Sequence, residues 1–227
     1  LPKGLDTIFG ALLLAPIARL IAFAVHPAVN AAMEYNGMTI TAATEQSPAI
    51  MGFLLGGIMK MICTSPLSSM ALTAMLGLTG LPMGIAAIAC VAGSFTNGIL
   101  FSRLRLGERS NVIAVMLEPL TQAHIITRYP IPIYASDFLG GGLAGIAAAL
   151  LGIVDNAPGT ASPIPGLLAP FAFNPAGKVV LALGIGAAAG IFAGFVGAAV
   201  FKRLVSEKEE KEASPVKPVG TPALSEI

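Results

Sequence analysis

Charge is scarce in this chain: Asp, Glu, Lys and Arg together make up 11% of 227 residues, where a soluble domain carries about a quarter. An ordinary water-soluble globule is excluded on that ground. Tryptophan is absent, which removes half of the usual aromatic belt at a bilayer surface. Histidine and cysteine occur twice each. Cys63 and Cys90 lie in apolar stretches and read as two small inert residues rather than a disulfide. The sequence contains no Walker A loop, C-x-x-C pair or H-E-x-x-H motif, and no plausible Ser/His/Asp set. Chemistry by the chain itself, and a resident metal or cofactor, are therefore not expected. A net charge of +1 without a basic, aromatic-studded patch excludes a nucleic-acid partner.

What is present is grease, glycine and proline. Hydrophobic residues make up 55%, with 26 glycines and 17 prolines. Several apolar runs approach or reach the roughly 20 residues needed to cross a bilayer. The expected fold class is an all-α polytopic membrane protein, with about five full spans plus broken half-helices and re-entrant hairpins. Full crossings are expected at residues 7–25, 47–63, 83–101, 135–154 and 179–201. Residues 26–46 are more polar and read as an interfacial helix or loop. Residues 67–78 and 111–117 are too short to span, and "RYPIP" at 128–132 reads as a rigid extended turn. A transmembrane domain is expected over 1–201 and a disordered cytoplasmic tail over 202–227. Arg103, Arg105 and Arg109, with Lys202 and Arg203, mark the cytoplasmic side.

Three interruptions stand inside the apolar sequence: Thr64-Ser65-Pro66, Glu118-Pro119, and the stretch 155–165. Lipid cannot hydrogen-bond an open backbone, so a broken helix survives only inside protein or along a watery cavity. Paired interruptions of this kind point to the binding site of a transporter. The competing reading of any one break is a kink healed by Ser/Thr hydroxyls. Site candidates are Thr64, Ser65 and Ser68 at the first break, and Glu118, Gln122 and His124 at the second. Thr160 and Ser162 follow in the third, with Asn97, Glu45 and Gln46 nearby. A carboxylate, amides and an imidazole can accept and donate hydrogen bonds to a small polar solute. Lys60, one turn before the first break, reads as snorkelling to the headgroups. Gly186, Gly190 and Gly194 form two overlapping G-x-x-x-G steps suited to close helix packing.

The stretch from Ser47 to Gly98 resembles the phosphotransferase-system EIIC-like membrane proteins, the type 2 branch that includes perfringolysin-regulator-like members. The motifs that carry the resemblance are Gln46-Ser-Pro48 to Gly52, Ser65-Pro-Leu-Ser-Ser69 and Gly77-Leu-Thr-Gly80. "GTASPIPGLLAPFAF" (159–173) is similar to a hairpin of that branch. The chain departs from the pattern in the serine inserted between Gln46 and Pro48 and in "LEPLTQAH" at 117–124. Relatives carry further spans upstream, so the resemblance implies a chain short or truncated at its N-terminus. It also implies a small polar solute, a sugar among the candidates, held between broken helices in a homodimer. Cytosolic phosphotransferase-type subunits would do any phosphorylation. The expected function is an EIIC-like permease of the bacterial inner membrane, multi-pass, with a cytoplasmic C-terminus. A sensor or regulatory scaffold that binds a solute without moving it is the alternative.

Overall fold

The structure is a computed structural model that describes residues 5–213. Among them are nine α-helices and two short 3-10 turns; the β-type pairing recorded is an isolated bridge between Gly80 and Asp155. In chain order the helices are α1 (Leu5–Gln46), α2 (Pro48–Thr64), α3 (Ser69–Met75), α4 (Gly80–Leu104), α5 (Arg109–Leu117), α6 (Ala123–Arg128), α7 (Pro130–Leu150), α8 (Pro163–Leu168) and α9 (Ala176–Ala213). The 3-10 turns are Pro119–Gln122 and Ala169–Ala172. The all-α membrane architecture is as expected. Four helices, α1, α4, α7 and α9, are long and apolar enough to span a bilayer. The expected fifth, α2, has 17 residues, about one turn short of the ~20 a crossing needs.

Several boundaries differ from the sequence reading. Residues 7–25 and 26–46 belong to one helix of 42 residues, with Pro16 and Pro27 inside it. Each proline removes one backbone donor, and the helix continues through both. "RYPIP" is not an extended turn, because Pro130 sits in the first turn of α7, where a missing N–H costs nothing. The last helix runs on through Lys202 to Ala213, so this part of the expected disordered tail is helical. Residues 206–213, "SEKEEKEA", are nearly all strong helix formers. The rest of the tail, 214–227, lies outside the described residues.

The bundle is built around α4, whose apolar window is 89% buried, against 0% for α1. Glycine seams set the register. On α2, Gly52, Gly56 and Gly57 face Gly145, Gly141 and Phe138 of α7 in antiparallel order; a Cβ on Gly56 would lie 3.0 Å from Gly145 Cα. The G-x-x-x-G face of α9 packs within the same chain. Gly186 meets Ile88 and Ala92, Gly190 meets Ala92, and Gly194 meets Thr96 and Ile99, so α9 runs parallel to α4. With no hydrophobic force between helices in lipid, such backbone approach is what holds them. Gly190→Leu is therefore expected to cost at least the ~1–3 kcal/mol of ordinary overpacking. Thermal unfolding in detergent measures it; an unchanged midpoint would place this face elsewhere.

The two ends of the bundle differ chemically. At one end Arg105 and Arg128 line a common cleft, Lys208 donates to the carbonyl of Arg128, and Arg103 stacks on Phe195 of α9. At the other end Asp155 N donates to Gly80 O at 2.9 Å. Asn174 there bonds both the carbonyl and the N–H of Val154, and Lys178 donates to Gly152 O.

Candidate functional site

Three helical breaks meet against α4. The first is the tip between α2 and α3. Ser65 donates to Ile62 O at 2.8 Å and accepts from Leu67 N at 3.1 Å. Ser68 caps α3 by accepting from Ala71 N at 3.1 Å. Pro66 forbids the chain from continuing the helix, and these hydroxyls satisfy the backbone it frees. The second tip is Glu118, which follows the last residue of α5 in extended conformation before Pro119 opens the 3-10 turn. The third is Ala161–Ser162, just before α8. Hydrogen bonds link the tips: Ser69 Oγ donates to Ala161 O at 2.6 Å, and Ser162 Oγ donates to Glu118 Oε2 at 3.4 Å. Thr64, at the end of α2, accepts from Asn97 Nδ2 of α4 at 3.2 Å.

Behind Thr64 lies an ion pair. Lys60 Nζ is 3.9 Å from Asp137 Oδ1, and both side chains are wholly buried. Lys60 does not snorkel. Its stem threads a slot cut by two glycines: a Cβ on Gly93 of α4 would fall on Lys60 Cδ and Cε, and one on Gly141 of α7 would lie 2.5 Å from Lys60 Cβ. Thr64 and Asn97 flank the Asp137 carboxylate. Lys60 Nζ, both Asp137 carboxylate oxygens, Asn97 Oδ1 and Ser94 Oγ are buried with no hydrogen-bond partner. Buried polar atoms are nearly always paired, and an ionisable group at membrane depth is a functional candidate by default. Five such atoms, all on α2, α4 and α7, form a polar seam rather than a random defect.

The structure places the sequence candidates in three groups. Thr64, Asn97, Glu118 and Ser162 come together at the junction, with Ser65 and Ser68 supporting its first tip. Thr160 is spent locally, donating to Asp155 Oδ2 at 2.7 Å and to Ala157 O at 2.9 Å. Gln122 is buried and accepts from Asn111 Nδ2 at 2.7 Å, which braces the α5 hairpin. His124 is exposed, in the cleft with Arg105 and Arg128. Pro119–Gln122 is 3-10 rather than α, so Glu118, Gln122 and His124 do not share a face. Glu45 and Gln46 are exposed at the end of α1, at the opposite end of α2 from Thr64. Glu45 instead lines a cavity of about 790 Å³ between α1 and α3, with His26, Asn30, Glu34 and Thr41. Sequence reading passed over Asp137 and misread Lys60. The signal for Asp137 was present: an acid inside "IPIYASDFLGGGLAG" is an intramembrane charge, and such a charge is a functional candidate by default.

An all-α membrane protein in which broken helices converge on buried, unpaired polar groups is built as a transporter is built. The family described as "Phosphotransferase system, EIIC" matches residues 1–213. The chain belongs to that family, as a membrane component of a phosphotransferase-type transport system for sugars. Nothing matches among curated proteins or among solved structures.

Proposed function

We propose that this chain is the solute-conducting permease subunit of its system, and that it binds one small neutral polyhydroxylated solute, a sugar, where the three tips meet. The observation that carries the reading is the set of buried polar atoms without partners beside Thr64 and Glu118. A neutral solute is favoured because Lys60 and Asp137 already balance each other, and a charged one would leave an uncompensated charge inside. Hydroxyls can donate to Glu118 and Asp137 and accept from Lys60 and Asn97. Entry of the solute parts the tips, which the Ser69–Ala161 and Ser162–Glu118 hydrogen bonds join. The test is uptake by reconstituted vesicles across hexoses, pentoses and hexitols. Saturable uptake of one class supports the reading; no uptake and no binding across the panel would end it.

The proposed setting is the bacterial inner membrane, as a homodimer served by cytosolic subunits. Orientation follows the cations: Arg103, Arg105, Arg109, Arg128, Lys202, Arg203 and Lys208 belong to the end where Arg128 meets Lys208, while Lys178 is at the Gly80–Asp155 end. The positive-inside rule puts the first end in the cytoplasm. Glu108 and Asn156, both exposed, give the check. Glu108→Cys should resist an impermeant thiol reagent added outside intact cells, and Asn156→Cys should react. The reverse pattern would invert the topology.

A further inference from the structure

We infer that the arginine end of the bundle carries a binding site for one anionic phospholipid. Its phosphodiester headgroup sits in the cleft of Arg105 and Arg128, and an acyl chain lies in the apolar groove that begins at Pro130. The site needs no transported solute, so it stands or falls apart from the sugar reading.

The headgroup cleft has a volume of about 480 Å³. Arg105, His124 and Arg128 line it beside the buried Tyr129, and Glu108 is the carboxylate of the lining. Glu108 precedes α5 as its N-cap, where the helix dipole favours its charge. Lys208 adds a cation at the rim. It donates to the Arg128 carbonyl, and its Nζ lies 5.3 Å from the centre of the Tyr129 ring. The Arg128 guanidinium stacks on the same ring at 5.4 Å. Arg105, Arg128 and Lys208 thus outweigh one carboxylate, and a guanidinium can hold two phosphate oxygens at once.

Arg105 is marked by its backbone as well as its charge. It closes α4 in the left-handed region at φ 54°, and among the described residues it is the one non-glycine with positive φ. Glycine is the usual choice at such a helix end, so a long cationic side chain is kept there against the backbone preference. Strain of this kind gathers at ligand sites. Arg105 also forms no ion pair among the described residues. The positive-inside rule accounts for the sign of this end, but a general excess of cations needs neither a cleft nor a strained backbone.

A place for hydrocarbon starts close by. Pro130 opens an apolar groove of about 470 Å³, lined also by Met61, Ile131, Tyr134, Ala135 and Phe138. Two Cα steps separate Arg128 from Pro130, which puts their backbones within about 8 Å of each other. Ile125 of the cleft and Tyr134 of the groove both pack on the buried cluster that holds Tyr129. A free phosphate would use the cleft alone. A molecule with both a phosphate and a hydrocarbon chain uses cleft and groove together. Basic pockets between membrane helices take lipid headgroups in this way.

The chain has no tryptophan, so one introduced residue can report the site. Ala135→Trp, at an exposed position of the groove, is reconstituted as the full chain in phosphatidylcholine vesicles. Brominated phosphatidylglycerol or brominated phosphatidylcholine is then added in rising proportion, and tryptophan quenching is read. Phosphatidylglycerol should be favoured roughly tenfold or more, the effect of one charge-assisted hydrogen bond. Arg105→Gly in that background suits the left-handed turn, so the fold is kept, and the preference should vanish. Lys202→Gln/Arg203→Gln removes two charges from the same end outside the cleft lining and should leave the preference intact. Equal quenching by the two lipids, an unchanged preference in Arg105→Gly, or an equal loss in the Lys202/Arg203 variant overturns the proposal. Loss of the preference in millimolar inorganic phosphate at constant ionic strength also overturns it, and assigns the cleft to a soluble anion.

Discussion

Asp137→Asn alone should destabilise the folded protein by about 3–5 kcal/mol, the cost of stranding a buried charge by removing its partner. Lys60 is wholly buried and its stem is walled by Gly93 and Gly141, so the ammonium cannot reach water without opening the bundle. Asparagine keeps the shape of the carboxylate, which confines the effect to charge. Lys60→Met/Asp137→Asn removes both charges and should recover most of the loss, because an ion pair replaced by neutral groups of similar volume is often no less stable. Unfolding in mixed micelles across the four-member double-mutant cycle measures this. Single variants as stable as the wild type would mean that water reaches Lys60.

Glu118→Gln should weaken solute binding roughly ten- to hundredfold. A hydrogen bond to a charged acceptor contributes about 1.5–3 kcal/mol, and each 1.4 kcal/mol is about tenfold in affinity. Glutamine keeps the length and still accepts from Ser162, so the hairpin tips remain joined and the loss falls on the solute. Equilibrium binding of the sugar selected by the vesicle assay is the readout, with unfolding run beside it. Unchanged affinity would return Glu118 to a water-facing role and leave Thr64 and Asn97 as the gripping pair.

Much of this arrangement is legible in the sequence because prolines are local. Pro66, Pro119 and Pro163 stop or start helices wherever tertiary structure puts them, so the three interruptions could be placed without coordinates. That they meet is a tertiary fact, carried by Ser69 to Ala161 and Ser162 to Glu118. The Lys60–Asp137 partnership was out of reach for a related reason. It depends on the register of α2 against α7, set by glycines at 52, 56, 141 and 145, and no spacing rule reports a register between helices. The expected face shared by Glu118, Gln122 and His124 failed on local geometry, since an i, i+4 argument assumes an α-turn and the chain makes a 3-10 turn there. Polar residues 26, 30, 34, 41 and 45 looked like a loop or interfacial helix when counted by composition. Read at helical spacing they form one stripe, and α1 turns that stripe toward α3.

The most direct measurement is an experimental density map of the protein in lipid with the selected sugar bound. The account predicts density for the sugar between Thr64, Asn97, Glu118 and Ser162, with the tips parted and Lys60 within hydrogen-bonding distance of a hydroxyl. Sugar density in the α1–α3 cavity beside His26, Glu34 and Glu45, with the Lys60–Asp137 seam still closed, would contradict it.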